Sequence, residues 1–280
     1  MFSNDKQDDN SPTSTLGHDL EASRVGVDGA PLKRDLVAGL EKGLAVIEAF
    51  DQERPRLTIS EVASRTGLTR AAARRYLLTL LHLGFVSQDR KMFALAPKVL
   101  RLGQSYLHSA RLPRVVAPEL RKLAHALKEA CSAGVLDSAD VICIAATSAG
   151  RVVSSSLQPG TRVPAYCTAN GRILLAALAQ DEVDAWIDRQ HPNSLTPHTL
   201  THPDRLRIEV ARARAQGYAC VDQEFELGLR TVAVPLKNYR GQVLAAMNVS
   251  MHASRISMEQ LVEQGLPPLL QAQSHLRTLL

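Results

Sequence analysis

The sequence predicts an α+β chain in two parts: a winged helix-turn-helix, then a larger domain of mixed strands and helices. Three observations lead there. Leu57–Lys91 (LTISEVASRTGLTRAAARRYLLTLLHLGFVSQDRK) reads as two short helices, a tight turn and a small basic hairpin. From Pro113 onward, strand-like runs alternate with amphipathic helices and close in a meander, the pattern of an α+β domain. Between the two lies a short apolar stripe at helical spacing, a linker helix.

In the first stretch Thr58 caps a helix, and Glu61 three residues on completes a capping box. Ile59, Val62 and Ala63 then face inward, Gly67 breaks the helix and Leu68 fills the angle. Thr69 caps a second helix that runs to about Leu83, where Gly84 takes the left-handed stop. Ala73, Leu77, Leu80 and Leu81 repeat at helical spacing as its buried stripe. Arg70, Arg74 and Arg75 fall off that stripe, near the amino end. Phe85–Ser87 and Met92–Leu95 are strands joined by the polar tip Gln88–Lys91.

A duplex major groove admits one helix, and its first turns meet the base edges. From Arg65 to Lys91 there are six Arg or Lys against one acid, Asp89, which favours contact with phosphate. The competing reading is an amphipathic hairpin with a solvated basic face. Turn glycine, cap, arginines and wing in register favour double-stranded DNA. Thr69, Arg70, Arg74, Arg75 and Tyr76 are the candidate contacts, with Arg90 and Lys91 on the wing.

The chain has 280 residues, a soft indication of two domains, and a net charge of +5 that permits a polyanionic partner. Cys131, Cys143, Cys167 and Cys220 are widely spaced, with no Cys-x-x-Cys and no Cys/His cluster, so neither metal nor other cofactor is expected. No run approaches the ~18 apolar residues of a membrane helix, and the start MFSNDKQDDN lacks a signal core. The expected location is the cytoplasm, with no membrane partner.

In chain order, residues 1–33 read as a disordered tail, 34–96 as the winged helix-turn-helix, 97–112 as the linker and 113–280 as the second domain. Arg34–Phe50 is a lead helix whose Leu36, Leu40, Leu44, Ile47 and Phe50 pack on the helix-turn-helix. Ala96–Ala110 is the linker helix and Val115–Ala130 another helix. Ser132–Leu136, Val141–Thr147 and Val152–Leu157 are strands, and Gln158-Pro159-Gly160 turns the chain. Thr168 caps a helix through Ile173–Ala177, so the N–H groups of Ala169, Asn170 and Gly171 point outward. That end is either a carboxylate or phosphate site or an ordinary capped helix. Gln180–Arg189 and Asp204–Gln216 are helices; Tyr218–Asp222, Thr231–Leu236 and Val243–Ser250 are strands. Ser257–Leu279 is a closing helix, interrupted or bent at Pro267-Pro268.

The segments LEKGLAVIEAF, LTISEVASRTGLTRAAARRYLLTL and LGFV resemble the amino-terminal domain of IclR-type bacterial transcription regulators. AYCTANGRILLA, DQEFELGLRTVAVPL and AAMNVS resemble the effector domain of that family, most closely its branch controlling aromatic-acid catabolism. The resemblance spans about Gly39–Leu280 and implies a GAF-like effector-binding domain with a small organic acid as ligand. It also implies subunits paired through the lead and linker helices, as a homodimer or dimer of dimers. Carried over by position, the pocket matches are Asp222, Thr231, Asn248 and Ser250, with Thr168, Ala169, Asn170 and Gly171 at the helix end. Asn248 stands where other branches carry serine, which turns the expectation from a short keto acid to an aromatic acid or a product of its breakdown. Asn248 and Ser250 alternate on one strand and so share a face. Arg162 and Tyr166 flank the helix end, either to pair with a carboxylate and stack on a ring or as structural residues.

A rival reading is an enzyme using Asp222, Glu224 and Glu226 as an acid/base set. No nucleophile–base pair, metal-ligand set or phosphate loop accompanies them. A third reading, a sensor acting only through protein partners, leaves the recognition helix without a use. The expectation is a ligand-responsive DNA-binding regulator, not an enzyme.

Overall fold

A computed structural model describes residues 35–51, 53–147 and 157–280 of the chain. The expected tail and most of the expected strand Val152–Leu157 lie outside the described residues. The chain divides into two compact units at Arg101/Leu102.

In the first unit, α1 (Ala38–Glu48) leads into β1 (Arg56–Leu57), α2 (Ile59–Thr66), α3 (Arg70–His82), β2 (Val86–Asp89) and β3 (Met92–Leu95). Thr58 and Glu61 form the expected capping box, and Gly67 closes α2 with φ +67°. Leu68 packs against the core between the helices, which is built on Val46, Phe50, Leu57, Val62, Leu77 and Phe93. Ala73, Leu77 and Leu80 are buried on α3, while Leu81 is half-buried. The three strands pair antiparallel in the order β1-β3-β2, so the wing is anchored to the loop before α2.

The lead helix departs from expectation. It starts at Ala38 rather than Arg34; within it Val46 is buried, and Ala49 and Phe50 just past its end join the same core. Leu36, Leu40 and Leu44 do not pack on the helix-turn-helix: they are 52%, 64% and 47% exposed. Ile47 and Phe50 of the expected stripe do join that core, so the periodicity marks a shared apolar face of which only the carboxyl-terminal part is covered among the described residues.

A short 3-10 turn at Pro97–Val99 precedes α4 (Leu100–Ser109), so the linker is not one continuous helix from Ala96. Ala110 is extended, and α5 (Arg111–Leu127) follows at once. The second unit is built on a six-stranded sheet, order β6-β5-β4-β9-β8-β7, antiparallel throughout. Its strands are β4 (Ala130–Asp137), β5 (Asp140–Thr147), β6 (Arg162–Pro164), β7 (Ala219–Asp222), β8 (Leu229–Lys237) and β9 (Val243–His252). The remaining helices are α6 (Ala169–Ala176), α7 (Gln180–Asp188), α8 (Pro203–Gln216) and α9 (Met258–Leu279). α9 runs on through Pro267 and Pro268, with Leu261, Leu269 and Leu276 buried against the sheet.

Alternation along the strands sorts the sheet into two faces. Val232, Val234, Met247 and Val249 meet α5 and α9. Val221, Ala233 and Ala246 meet Ile173, Leu174 and Leu175 of α6, with Trp186 and Leu206 behind them. Gly171 lets the first turn of α6 lie against the segment that leads into it: a Cβ there would sit 2.0 Å from the Ala165 carbonyl oxygen.

Candidate functional site

The first unit presents its basic residues outward. Thr69 Oγ1 accepts from the Ala72 N–H at 3.2 Å, so this hydroxyl is engaged in starting α3. Arg70, Arg74 and Arg75 are exposed on α3, and among the described residues none forms an ion pair with a carboxylate. Arg90 and Lys91 are exposed at the hairpin tip, where Arg90 holds φ +53° and Gln88 donates to its carbonyl at 2.8 Å. Two other cations are tied down: Arg65 to Asp51 at 2.5 Å and Arg56 to Asp89 at 3.5 Å. Tyr76 turns the other way. It is half-buried, its ring against α1, where a Cβ at Gly43 would lie 3.9 Å from it.

In the second unit, the sheet face under α6 carries a patch of uncharged polar groups. Thr231 stands opposite Ser250, and their hydroxyls are 3.0 Å apart. Ser132 stands opposite Asn248 and donates to its Oδ1 at 3.3 Å. Val221, opposite Thr231, continues the patch as an apolar neighbour. Sequence reasoning missed Ser132 and Val221, because only the strand register places them on this face.

α6 lies across β4, β9 and β8 on the same side. Thr168 caps it, accepting from the Gly171 N–H at 3.2 Å and donating to the Pro164 carbonyl at 3.1 Å. The first two N–H groups, of Ala169 and Asn170, lie outside the helix's own hydrogen bonding. Asn170 is 5% exposed, and its Oδ1 has no hydrogen-bond partner among the described residues. Tyr166 is buried beside them and donates to the Asn193 carbonyl at 2.9 Å.

Two expected pocket residues stand elsewhere. Asp222 is opposite Arg230, which places it on the face toward α9, because Arg230 alternates with Thr231. Arg230 grips it at 2.8 and 3.2 Å, and that guanidinium holds the carboxyl below the usual range. Arg162 is exposed on β6 and is held by Asp137 at 2.6 Å and Asp140 at 3.0 Å.

Asp222 and Glu224 of the enzyme reading line one surface cleft, each already engaged by an arginine. Glu224 lies beyond the end of β7 in a buried ion pair with Arg172, both oxygens at 2.7 Å from the same nitrogen. Burial pushes the thiols up, Cys131 and Cys167 to about 12, Cys143 and Cys220 to about 11. They are protonated at neutral pH and poor nucleophiles. Among the described residues, no three His, Cys, Asp or Glu gather to hold a metal ion, and no helix is long and apolar enough to cross a membrane.

The chain matches the IclR helix-turn-helix domain over residues 39–90 and the bacterial transcriptional regulator IclR C-terminal domain over residues 104–276. It is 42% identical over 239 residues to the Pca regulon regulatory protein of Pseudomonas putida, covering 85% of this chain and 82% of that one. A solved protein of Rhodococcus sp. RHA1 is 42% identical with TM-score 0.74, covering 86% of this chain and 97% of that one. The inducer-binding domain of a PobR double mutant from Acinetobacter, solved with 3-hydroxybenzoic acid, is 30% identical with TM-score 0.57. That match covers 60% of this chain and 98% of the solved one. With both domain models matched in order, one on the winged unit and one on the sheet unit, the chain belongs to the IclR family of bacterial transcription regulators.

Proposed function

We propose that this regulator takes a hydroxylated aromatic acid on the sheet face beneath α6 and controls genes for the breakdown of such acids. The patch of Ser132, Asn248, Thr231 and Ser250 carries the reading: uncharged donors and acceptors on an otherwise apolar sheet suit a ring with a few polar substituents. The outward N–H groups at the start of α6 suit its carboxylate. The relatives add weight, one named for the Pca regulon and one holding 3-hydroxybenzoic acid.

DNA is bound through α3 and the wing, by Arg70, Arg74 and Arg75 with Arg90 and Lys91. Two copies act together in the cytoplasm as a homodimer or dimer of dimers. Leu40 and Leu44 on α1 and Leu100, Leu102 and Tyr106 on α4 are the apolar surfaces that a second subunit would cover. Two copies set two α3 helices on half-sites ~10 base pairs apart or a multiple of that.

The test is a thermal-shift screen against protocatechuate, 4-hydroxybenzoate, β-ketoadipate, cis,cis-muconate and pyruvate. A ligand at a hundred times its dissociation constant adds ~2.7 kcal/mol to stability. Stabilisation by an aromatic acid, lost in Asn248→Leu/Ser250→Ala, is the expected result. Stabilisation by pyruvate alone, or undiminished affinity in the double variant, overturns the reading.

A further inference from the structure

Tyr76 follows Arg75 on α3, yet its ring turns away from the exposed arginines, packs at the edge of the first unit's core and lies against α1. Along α1, Gly39, Gly43 and Val46 follow one another at the spacing of a single helix face. Val46 is fully buried and anchors the carboxyl-terminal end of that face. The two glycines bring no side chain to it. A Cβ at Gly39 would lie 3.9 Å from the Tyr76 hydroxyl, and a Cβ at Gly43 would lie 3.9 Å from the ring carbon Cδ1. Among the described residues no other side chain, adjoining residues aside, comes within 4 Å of either position. One ring from α3 thus supports two turns of α1 that have no side chain of their own on this face.

We propose that Tyr76 is a positioning residue: it fixes the tilt of α1 on α3 and so sets the half-site spacing that a pair of subunits accepts. This rests on the reading that two copies pair through α1. Leu40 and Leu44, the residues of α1 offered to the second copy, lie off the glycine face and are exposed. Glycines weaken a helix, so the amino-terminal half of α1 has little hold of its own. Leu40 is six residues from Val46, about 9 Å along the axis. A swing of about 20° about Val46 would carry Leu40 about 3 Å, close to the ~3.4 Å step of one base pair. A small looseness between α1 and α3 is therefore enough to change the register in which a second α3 meets its half-site.

The division of labour on α3 follows. Arg70, Arg74 and Arg75 are exposed and govern how tightly one α3 holds its half-site. Tyr76 governs how far apart two of them are held. The contact at Gly43 is made by a ring carbon, so the aromatic ring is the group that matters, and phenylalanine keeps it.

The experiment selects a paired site from a random duplex library with the full wild-type chain, then inserts one base pair between the half-sites. Affinities are read by fluorescence anisotropy for wild type, Tyr76→Ala and Tyr76→Phe. The insertion is expected to weaken wild type and Tyr76→Phe about tenfold or more, part of the roughly 10²–10⁴-fold that simultaneous engagement adds, and Tyr76→Ala about threefold or less. Binding to a single half-site is expected to be equal in all three. Mere loss of folded protein lowers every affinity alike and leaves the ratio between spacings unchanged. If Tyr76→Ala does not fold, Tyr76→Leu replaces it with the same expectation. A wild-type ratio in the folded variant overturns the proposal, as does a dimeric wild type indifferent to spacing. Loss of single-half-site binding in Tyr76→Phe also overturns it, because the hydroxyl is then a DNA contact. If light scattering finds the wild type monomeric, the pairing of subunits fails instead. The hold of Tyr76 on α1 is then decided by hydrogen exchange on the chain alone. Faster exchange over residues 38–44 in Tyr76→Ala, with α2 unchanged, supports it, and exchange unmoved overturns it.

Discussion

Arg172 and Glu224 form a buried ion pair that joins α6 to the segment following β7. Their side chains are 3% and 8% exposed. The same guanidinium donates to the Cys220 carbonyl at 3.2 Å, and Glu224 accepts from the Leu200 N–H at 3.3 Å. Buried charges of this kind are costly to separate, because the survivor stays in a low-dielectric site without a counter-charge. Glu224→Gln is expected to lower unfolding free energy by about 3–5 kcal/mol, read from the urea midpoint. Replacing both, as Arg172→Met/Glu224→Leu, should cost distinctly less than the single change. A single variant as stable as the wild type would mean that the pair is not what fixes α6.

Asp222 and Arg230 make a more exposed pair with a pH signature. The arginine lowers the folded-state pKa of Asp222 below its unfolded value. The stability this contributes is therefore fully present above the unfolded pKa of about 3.9, and is lost as pH falls through the folded value. Asp222 is 39% exposed, so solvent screening keeps the contribution below about 1 kcal/mol. Asp222→Asn should flatten stability against pH below about pH 4 and leave ligand affinity near that of the wild type, since the side chain points away from the polar face. A large loss of affinity would place Asp222 back in the pocket.

What could be read in advance was local. The Thr58–Glu61 capping box, the Thr69 cap and the left-handed Gly67 and Gly84 each depend on a few neighbouring residues, and each stands as expected. What could not be read depended on distant partners. An apolar stripe shows which residues share a face but not which chain covers it, so Leu40 and Leu44 read as core residues by spacing and yet stay exposed. Asp222 was carried over by motif, and a one-residue difference on a strand is a change of face. Ser132 sits 116 residues from Asn248 and became visible only through the β4–β9 register. Pro267 and Pro268 suggested a break, yet burial of Leu261, Leu269 and Leu276 along one side holds α9 through them.

On α3 the question is which arginine reads sequence and which only holds the duplex. Arg75 is exposed and forms no ion pair with a carboxylate among the described residues, so its charge is available to a phosphate. Neutralising one phosphate releases about one condensed counterion, and the logarithm of affinity falls linearly with the logarithm of salt. Arg75→Ala is expected to weaken binding to operator and unrelated duplex alike and to reduce the magnitude of the salt slope by ~1, measured by fluorescence anisotropy between low and physiological salt. A residue bidentate to a guanine behaves otherwise: its loss costs about 1–3 kcal/mol against the cognate base and leaves binding to unrelated duplex almost unchanged. Run in parallel, Arg70→Ala and Arg74→Ala sort the three by the same criterion. If the Arg75 variant loses affinity only for particular base pairs, that side chain reads an edge, and the phosphate contact belongs to one of its neighbours.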